Sequence, residues 1–180
     1  PKTPKPLTAH YLFYFNMANL DTSKFECFRS KADGSIFYGN IAFLDRVTKL
    51  LVPEAERAKV AALPAADFQI NYEKVRHGYG LQIYNGQRNN DGILTKYEGS
   101  WHMNCRQGNG FAMYADGSSY KGQFKNEKHD GQGVFKWVQG HEYKGSFRDN
   151  MMEGRGEFTH SSGRQQKGTF RRNYLVVVSF

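Results

Sequence analysis

A period of 23 residues governs the second half of this sequence and leaves few folds open to it. Shifted by that period, the chain brings Tyr97, Tyr120 and Tyr143 into one column, with Gln166 in the fourth place. Gly99, Gly122, Gly145 and Gly168 form a second column, and Trp101, Phe124, Phe147 and Phe170 a third. Gly108, Gly131 and Gly154 follow, then Gly110, Gly133 and Gly156 two residues later. Tyr114, Trp137 and His160 align, as do Gly117, Gly140 and Gly163. Columns kept in register at one period mark a unit that is copied and stacked.

Inside the unit the pattern has period two. In Tyr120-Lys121-Gly122-Gln123-Phe124-Lys125 the tyrosine, glycine and phenylalanine fall on one face of a strand, and Gly133, Phe135 and Trp137 share a face further on. Asn126 to Gly131 reads as a polar connecting loop, and Gly140 as the reversal into the next strand. Each repeat is then an antiparallel hairpin, and successive repeats form a meander. Composition agrees: 14 Phe, 11 Tyr and 19 Gly accompany only 39% hydrophobic residues, which suits a thin aromatic-faced sheet better than a thick core. Glycines on the aromatic face leave bare backbone for rings to lie over; the same glycines would also suit β-bulges. Gly131-Gln132-Gly133 lacks the third glycine and following helix of a phosphate-binding turn.

The pattern reaches into the first half. Asp33 to Ile41 parallels Asp116 to Phe124, so Phe37 stands in the tyrosine column and Gly39 in the glycine column. His77 to Tyr84 resembles the Gly-x-Gly strand, with a longer hairpin, Asn85 to Lys96, leading into Tyr97. Tyr14, 23 residues before Phe37, begins a degenerate first repeat with Asn16 at the glycine place. Between these lies a helical insertion. Asp45 to Leu51 is a short helix candidate, and Pro53 opens a second helix, Glu54 to Leu63, which Pro64 stops. Its apolar positions would cover one end of the sheet or bind a partner. The expected organisation is an extended arm over 1–10, degenerate repeats over 11–43, the insertion over 44–64, a divergent hairpin over 65–96, tandem repeats over 97–174 and an apolar strand over 175–180. The fold class is mostly β: an elongated single-layer antiparallel meander of hairpin repeats with a short α-helical insertion.

Tyr-x-Gly-x-Phe, a loop, Gly-x-Gly, an aromatic and a glycine three residues before the next tyrosine resemble the MORN repeat (membrane occupation and recognition nexus). Tyr120 to Phe124 and Tyr143 to Phe147 carry the resemblance most fully, and Tyr97 to Trp101 is close. Gln166 to Phe170 departs by losing the tyrosine, as a terminal repeat can. The resemblance implies an elongated antiparallel sheet without a catalytic centre of its own. Such arrays occur in cytoskeletal and membrane-contact scaffolds, axonemal radial spokes, junctional proteins and beside some lipid-kinase or methyltransferase domains.

The alternate positions are where a repeat face would bind. Glu98, Lys121, Lys144 and Lys167 form one column, and His102, Lys125, Arg148 and Arg171 another, with Lys136 and Arg172 in the same region. Members are two strands apart, so like charges recur about every 10 Å. With a net charge of +8, this ladder suits an acidic protein surface or an anionic membrane; a solvated strand face with lysines guarding the edges is the alternative. Nucleic acid is disfavoured, because no recognised nucleic-acid module accompanies the basic residues.

Other chemistry finds little to build on. None of His10, His77, His102, His129, His141 and His160 belongs to an HExxH motif or a strong cysteine pairing. His129-Asp130 reads as part of a turn and His160 as a packed member of the aromatic column. The two cysteines, Cys27 and Cys105, read as free thiols or, with less support, as a disulfide. No apolar run approaches the roughly 18–20 residues of a membrane-spanning helix, and the start lacks a signal peptide's apolar core. A chain beginning at Pro1 fits removal of an initiator methionine, a cleaved leader or truncation. Residues 173–180 are apolar and β-prone, so they must join the sheet, fold under it or dock elsewhere. The expectation is a non-catalytic scaffold or adaptor subunit of a larger assembly, with no cofactor and no metal. By family analogy it is cytoplasmic and cytoskeletal, in a cilium or flagellum (axoneme). A peripheral membrane binder reading anionic phospholipid is the alternative, and the targeting part of a larger enzyme is a third reading.

Overall fold

The computed structural model describes residues 25–29, 34–85, 88–89 and 92–178. The expected arm over 1–10, the repeat start at Tyr14 and Asn16, and Asp33, Ser179 and Phe180 lie outside the described residues.

Each alternating segment forms a strand. The second half contains β5 (Gly92–His102), β6 (Cys105–Tyr114), β7 (Ser119–Lys125), β8 (Lys128–Lys136), β9 (Glu142–Arg148), β10 (Met151–Thr159), β11 (Gln165–Arg171) and β12 (Tyr174–Val178). The first half supplies β1 (Glu26–Arg29), β2 (Ile36–Asp45), β3 (Tyr72–Ile83) and the two-residue β4 (Arg88–Asn89). All pair antiparallel in chain order as one open sheet, except that β4 pairs only with β5. Ten strand spacings from β1 to β12 span about 48 Å.

One register runs through this sheet. Gly39 pairs with Gly80, Gly80 with Gly99, Gly99 with Gly110, and so on through Gly122, Gly133, Gly145 and Gly156 to Gly168. Rings require this bare row. The Tyr120 ring lies over Gly122 and Gly133, and a Cβ at Gly133 would stand 2.4 Å from the Tyr120 hydroxyl. That hydroxyl donates to the Gln123 carbonyl at 2.9 Å, and Tyr97 and Tyr143 repeat the bond to Ser100 and Ser146. Phe124 sets its edge against both Tyr97 and Tyr120, and Phe147 against Tyr120 and Tyr143, at centroid distances near 5 Å. Each such contact adds about 0.5–1.5 kcal/mol beyond burial, so the rings join neighbouring repeats into one continuous core.

Both readings of the glycines hold, at different positions. While Gly133 lies under a ring, Gly131 (φ +103°) sits in a bulge where Asp130, Gly131 and Gln132 oppose the single Gln123. The β11–β12 hairpin has no glycine at this place, and its bulge is smaller, with Gly168 opposite Val178.

The expected loop over Asn126 to Gly131 is only a two-residue turn, because Lys128 already pairs with Lys125 and His129 with Phe124. Asn126 and Glu127 both have positive φ, the type I′ geometry that matches strand twist, and Met103-Asn104, Asp149-Asn150 and Arg172-Asn173 repeat it. An inter-repeat clasp accompanies each turn. Asn104, Glu127, Asn150 and Asn173 donate their backbone N–H to the carbonyls of Arg76, Arg106, His129 and Met152 at 3.0–3.2 Å. Their side-chain oxygens accept the backbone N–H of those same four residues. Every turn is thereby tied to the hairpin before it.

The insertion also differs from expectation at its start. Asp45 to Leu51 is not helical, because β2 continues to Asp45, whose Oδ1 accepts N–H bonds from Val47 and Thr48 and closes a turn. These bonds, that from Thr48 first, hold the Asp45 carboxyl below its ordinary range. Helix α1 (Glu54–Ala61) follows Pro53. A second helix, α2 (Ala65–Asn71), follows Pro64, so the expected hairpin over 65–96 becomes strand only at Tyr72. Val60 of α1 packs in one cluster with Phe43 and Val52, and Phe68 of α2 meets Phe43 edge-on at 5.3 Å. The helices therefore pack against the part of the β2–β3 hairpin around Phe43 and Tyr72. Beyond β11, residues 174–178 join the sheet as an edge strand with Val176, Val177 and Val178 exposed.

Candidate functional site: the open face of the sheet

The pleat sends Lys121, Gln123 and Lys125 away from the face that carries Tyr120 and Phe124. On this open face one row of side chains crosses the strands in register. Glu98 stands beside Phe111, then come Lys121, Val134, Lys144, Glu157 and Lys167. Across the glycine row lies a polar row that includes Asn109, Gln123, Gln132 and Ser146. Here Gln123 Oε1 accepts the Gln132 N–H at 2.8 Å, and the Gln132 amide donates to Ser146 Oγ at 2.7 Å.

The expected basic residues all reach the surface, but as more than a uniform ladder. Lys121, Lys125, Lys136, Lys144, Arg148, Lys167, Arg171 and Arg172 are exposed. Lys167 pairs with Glu157 at 3.1 Å and Lys136 with Glu142 at 3.0 Å. Lys125, Arg148 and Arg171 end their strands beside the type I′ turns, along one long edge of the sheet. There Lys128 pairs with Asp149 at 2.7 Å and holds that carboxyl below its usual range through a hydrogen bond and its charge. The Arg172 backbone N–H bonds Glu153.

Glu98, the first member of one expected column, is buried, with its Oε1 accepting from the Tyr79 hydroxyl and its Oε2 3.2 Å from Lys96 Nζ. The second contact lacks hydrogen-bond geometry and is an ion pair only. Burial, reinforced by this carboxylate, pushes the Tyr79 hydroxyl pKa upward.

Two shallow hollows flank the row. One, of about 370 Å³, has Gly99, Gly110 and Gly122 as its floor and Tyr79, Glu98, Asn109, Lys121 and Val134 as its walls. The other, of about 440 Å³, runs from Phe111 and Ser119 to Lys136, Glu142 and Lys144 and shares Lys121 and Val134. Both are open, with apolar patches between cations.

The five described histidines pack against other rings. His129, expected in a turn, is 2% exposed within β8; its ring stacks on Tyr120 at 3.7 Å, and its Nε2 lies 2.7 Å from the Tyr114 hydroxyl. His160 packs on Phe158, as expected. His77 and His102 lie 5.0 Å apart, and burial first, then the charges of His102 and Arg57, lowers the His77 pKa. Cys27 and Cys105 are free and exposed. No cluster of three or more potential metal ligands occurs among the described residues.

Sequence reasoning missed the column Arg106, His129, Met152 and Leu175, whose members lie over the ring core. The Arg106 guanidinium, buried, sits 5.3 Å from the Phe124 ring and 3.0 Å from Glu127 Oε2. The 23-residue spacing was present, but an arginine, a histidine, a methionine and a leucine share no obvious chemistry.

A row of glycines under rings, an open meander and clasped hairpins define a tandem β-hairpin repeat protein. Residues 97–119, 120–142 and 143–163 each match the MORN repeat model, so this repeat protein carries three consecutive MORN repeats. No curated protein matches the chain. Such repeats suggest a protein involved in protein or membrane binding.

Proposed function

We propose that this chain is a non-catalytic scaffold or adaptor subunit of a larger protein assembly, cytoplasmic and associated with the cytoskeleton of a cilium or flagellum, and that it binds protein partners through the open face. The observation that carries the reading is the division between faces. Tyrosines, glycines and phenylalanines are consumed by the fold, while Lys121, Lys144, Phe111 and Val134 line open hollows on the other side. Shallow hollows with apolar patches between cations suit a protein surface better than a small substrate. The cytoskeletal and axonemal setting rests on the company MORN repeats keep.

A second reading, a peripheral binder of anionic phospholipid, draws on the exposed Lys125, Arg148, Arg171 and Arg172 along the turn edge. No helix among the described residues is long and apolar enough to cross a membrane, so such binding would be made at the bilayer surface by side chains. Proximity labelling in the native cell, paired with flotation on anionic vesicles, separates the two. The scaffold reading expects reproducible protein neighbours from the cytoskeleton and no flotation at physiological salt. Flotation without a stable set of protein neighbours would overturn it in favour of the lipid reading.

A further inference from the structure

Two imidazoles meet at the end of β5. Gly78 of β3 is registered against Trp101 of β5, so the next residues outward, His77 and His102, stand opposite each other. Trp101 faces the ring core, and the Arg76 guanidinium lies 4.2 Å from its ring. The pleat therefore turns His77 and His102 to the open face, beside the Met103-Asn104 turn. Their ring centroids are 5.0 Å apart, with the planes tilted by 51°. A tetrahedral zinc ion holds each imidazole nitrogen at about 2.05 Å, which places the centroids of two ligand rings about 5.2 Å apart. The His77 Nδ1 is buried without a hydrogen-bond partner, a state that calls for one. His102 makes no hydrogen bond among the described residues either. Burial first, then the charges of His102 and Arg57, lowers the His77 pKa, so this ring is in its neutral, ligating form at neutral pH. His141 and His160 also lie close, at 5.4 Å, but the His141 Nδ1 accepts the Ser161 N–H at 3.0 Å. In its neutral form that ring carries its proton on Nε2 and has no lone pair left for a metal.

From this geometry we infer that His77 and His102 form a two-histidine site for a divalent ion of the zinc class, with water at the remaining positions. An ion held there ties β3 to β5 beside the turn whose Asn104 clasps Arg76. The exposed Cys105 pairs with His102 on the other side, but no cluster of three potential ligands forms among the described residues, so the site has two protein ligands. The Arg57 charge that keeps His77 neutral also opposes a cation, and neither ring has the hydrogen-bonded support that strengthens metal-binding histidines. The expected affinity is therefore modest.

The test adds zinc to the full chain and follows it by calorimetry, melting and the imidazole NMR signals. One ion per chain should bind with a dissociation constant below about 0.1 mM, raise the melting temperature, and move the His77 and His102 signals together. His77→Gln and His102→Gln should each weaken zinc by about tenfold or more, whereas Cys105→Ser and His160→Gln should leave it unchanged. Should His77→Gln misfold, the exposed His102→Gln and the wild-type NMR signals carry the test. No binding below that limit, undiminished binding by a folded His77 or His102 variant, or zinc that moves the signals of other histidines instead overturns the inference. A loss in Cys105→Ser as large as that in His102→Gln, with none in His77→Gln, would put the ion at the turn and overturn it too. None of these readouts involves a protein partner or a vesicle, so failure here leaves the scaffold reading intact.

Discussion

Phe37 lies over Gly39 and Gly80 in the hairpin of β2 and β3 as Tyr120 lies over Gly122 and Gly133 in the hairpin of β7 and β8. Gly78 takes the positive φ that Gly131 takes, and Asn104 clasps Arg76 as Asn150 clasps His129. Almost everything else differs. The first hairpin carries two helices between its strands, lacks the ring hydroxyl and buries separate clusters around Phe43 and Val75. Both hairpins thus keep a ring over paired glycines, a glycine in the bulge and a clasp from the next turn. The other positions are free to change, including those on the open face.

The largest losses in either hairpin are expected at the glycines. Gly133→Val and Gly80→Val should each lose about 3 kcal/mol or more in denaturant unfolding, because each added side chain meets a buried ring, that of Tyr120 or Phe37. A mild Gly80→Val beside a severe Gly133→Val would separate the first hairpin from the shared sheet. Next come the clasps. Glu127→Ala leaves the buried Arg106 guanidinium without its carboxylate and should lose about 3 kcal/mol. Asn150→Ala strands only the His129 N–H and should lose about 1 kcal/mol. The reverse order in thermal melts would mean that charge does not strengthen that junction.

Alkali should act on the tyrosine hairpins. Burial pushes the Tyr143 hydroxyl up to about 12 and those of Tyr97 and Tyr120 higher still. A raised folded pKa contributes stability that is complete below the unfolded value near 10 and is lost as pH rises through the folded value. Unfolding free energy should therefore fall above pH 10 by about 1.4 kcal/mol per pH unit for each such tyrosine. A flat profile between pH 9 and 11.5 would contradict the burial of these hydroxyls. Tyr120→Phe, which removes the bond to Gln123, should lose no more than about 1 kcal/mol; Phe37 shows that the geometry persists without it.

Much of this was legible before the structure. The tyrosine, glycine and phenylalanine columns, their common face and the extension through Gly39 and Gly80 follow from spacing and alternation. What escaped notice has physical reasons. Type I′ turns usually advertise themselves through glycine, but Asn126-Glu127 and Arg172-Asn173 adopt the conformation without one, so their sequence reads as a loop where a turn stands. Glu127 interrupts an otherwise asparagine clasp column, and His129 looked like a turn residue because its burial depends on rings in neighbouring strands. Asp45 to Leu51 had helical composition but was captured by the Asp45 side chain and strand pairing. The open-face column was legible as charge, whereas the pairing of Lys167 and the burial of Glu98 depend on Glu157, Lys96 and Tyr79 in other strands.

One face builds the sheet, and the other is proposed to bind. Melting and native partner capture of Lys121→Glu/Lys144→Glu/Lys167→Glu, measured on the same preparation, test it most directly. A cooperative melt within a few degrees of wild type is expected, with loss of the captured protein partners at low salt. Retained partners at low salt in a folded variant, or a collapsed melt, would contradict it.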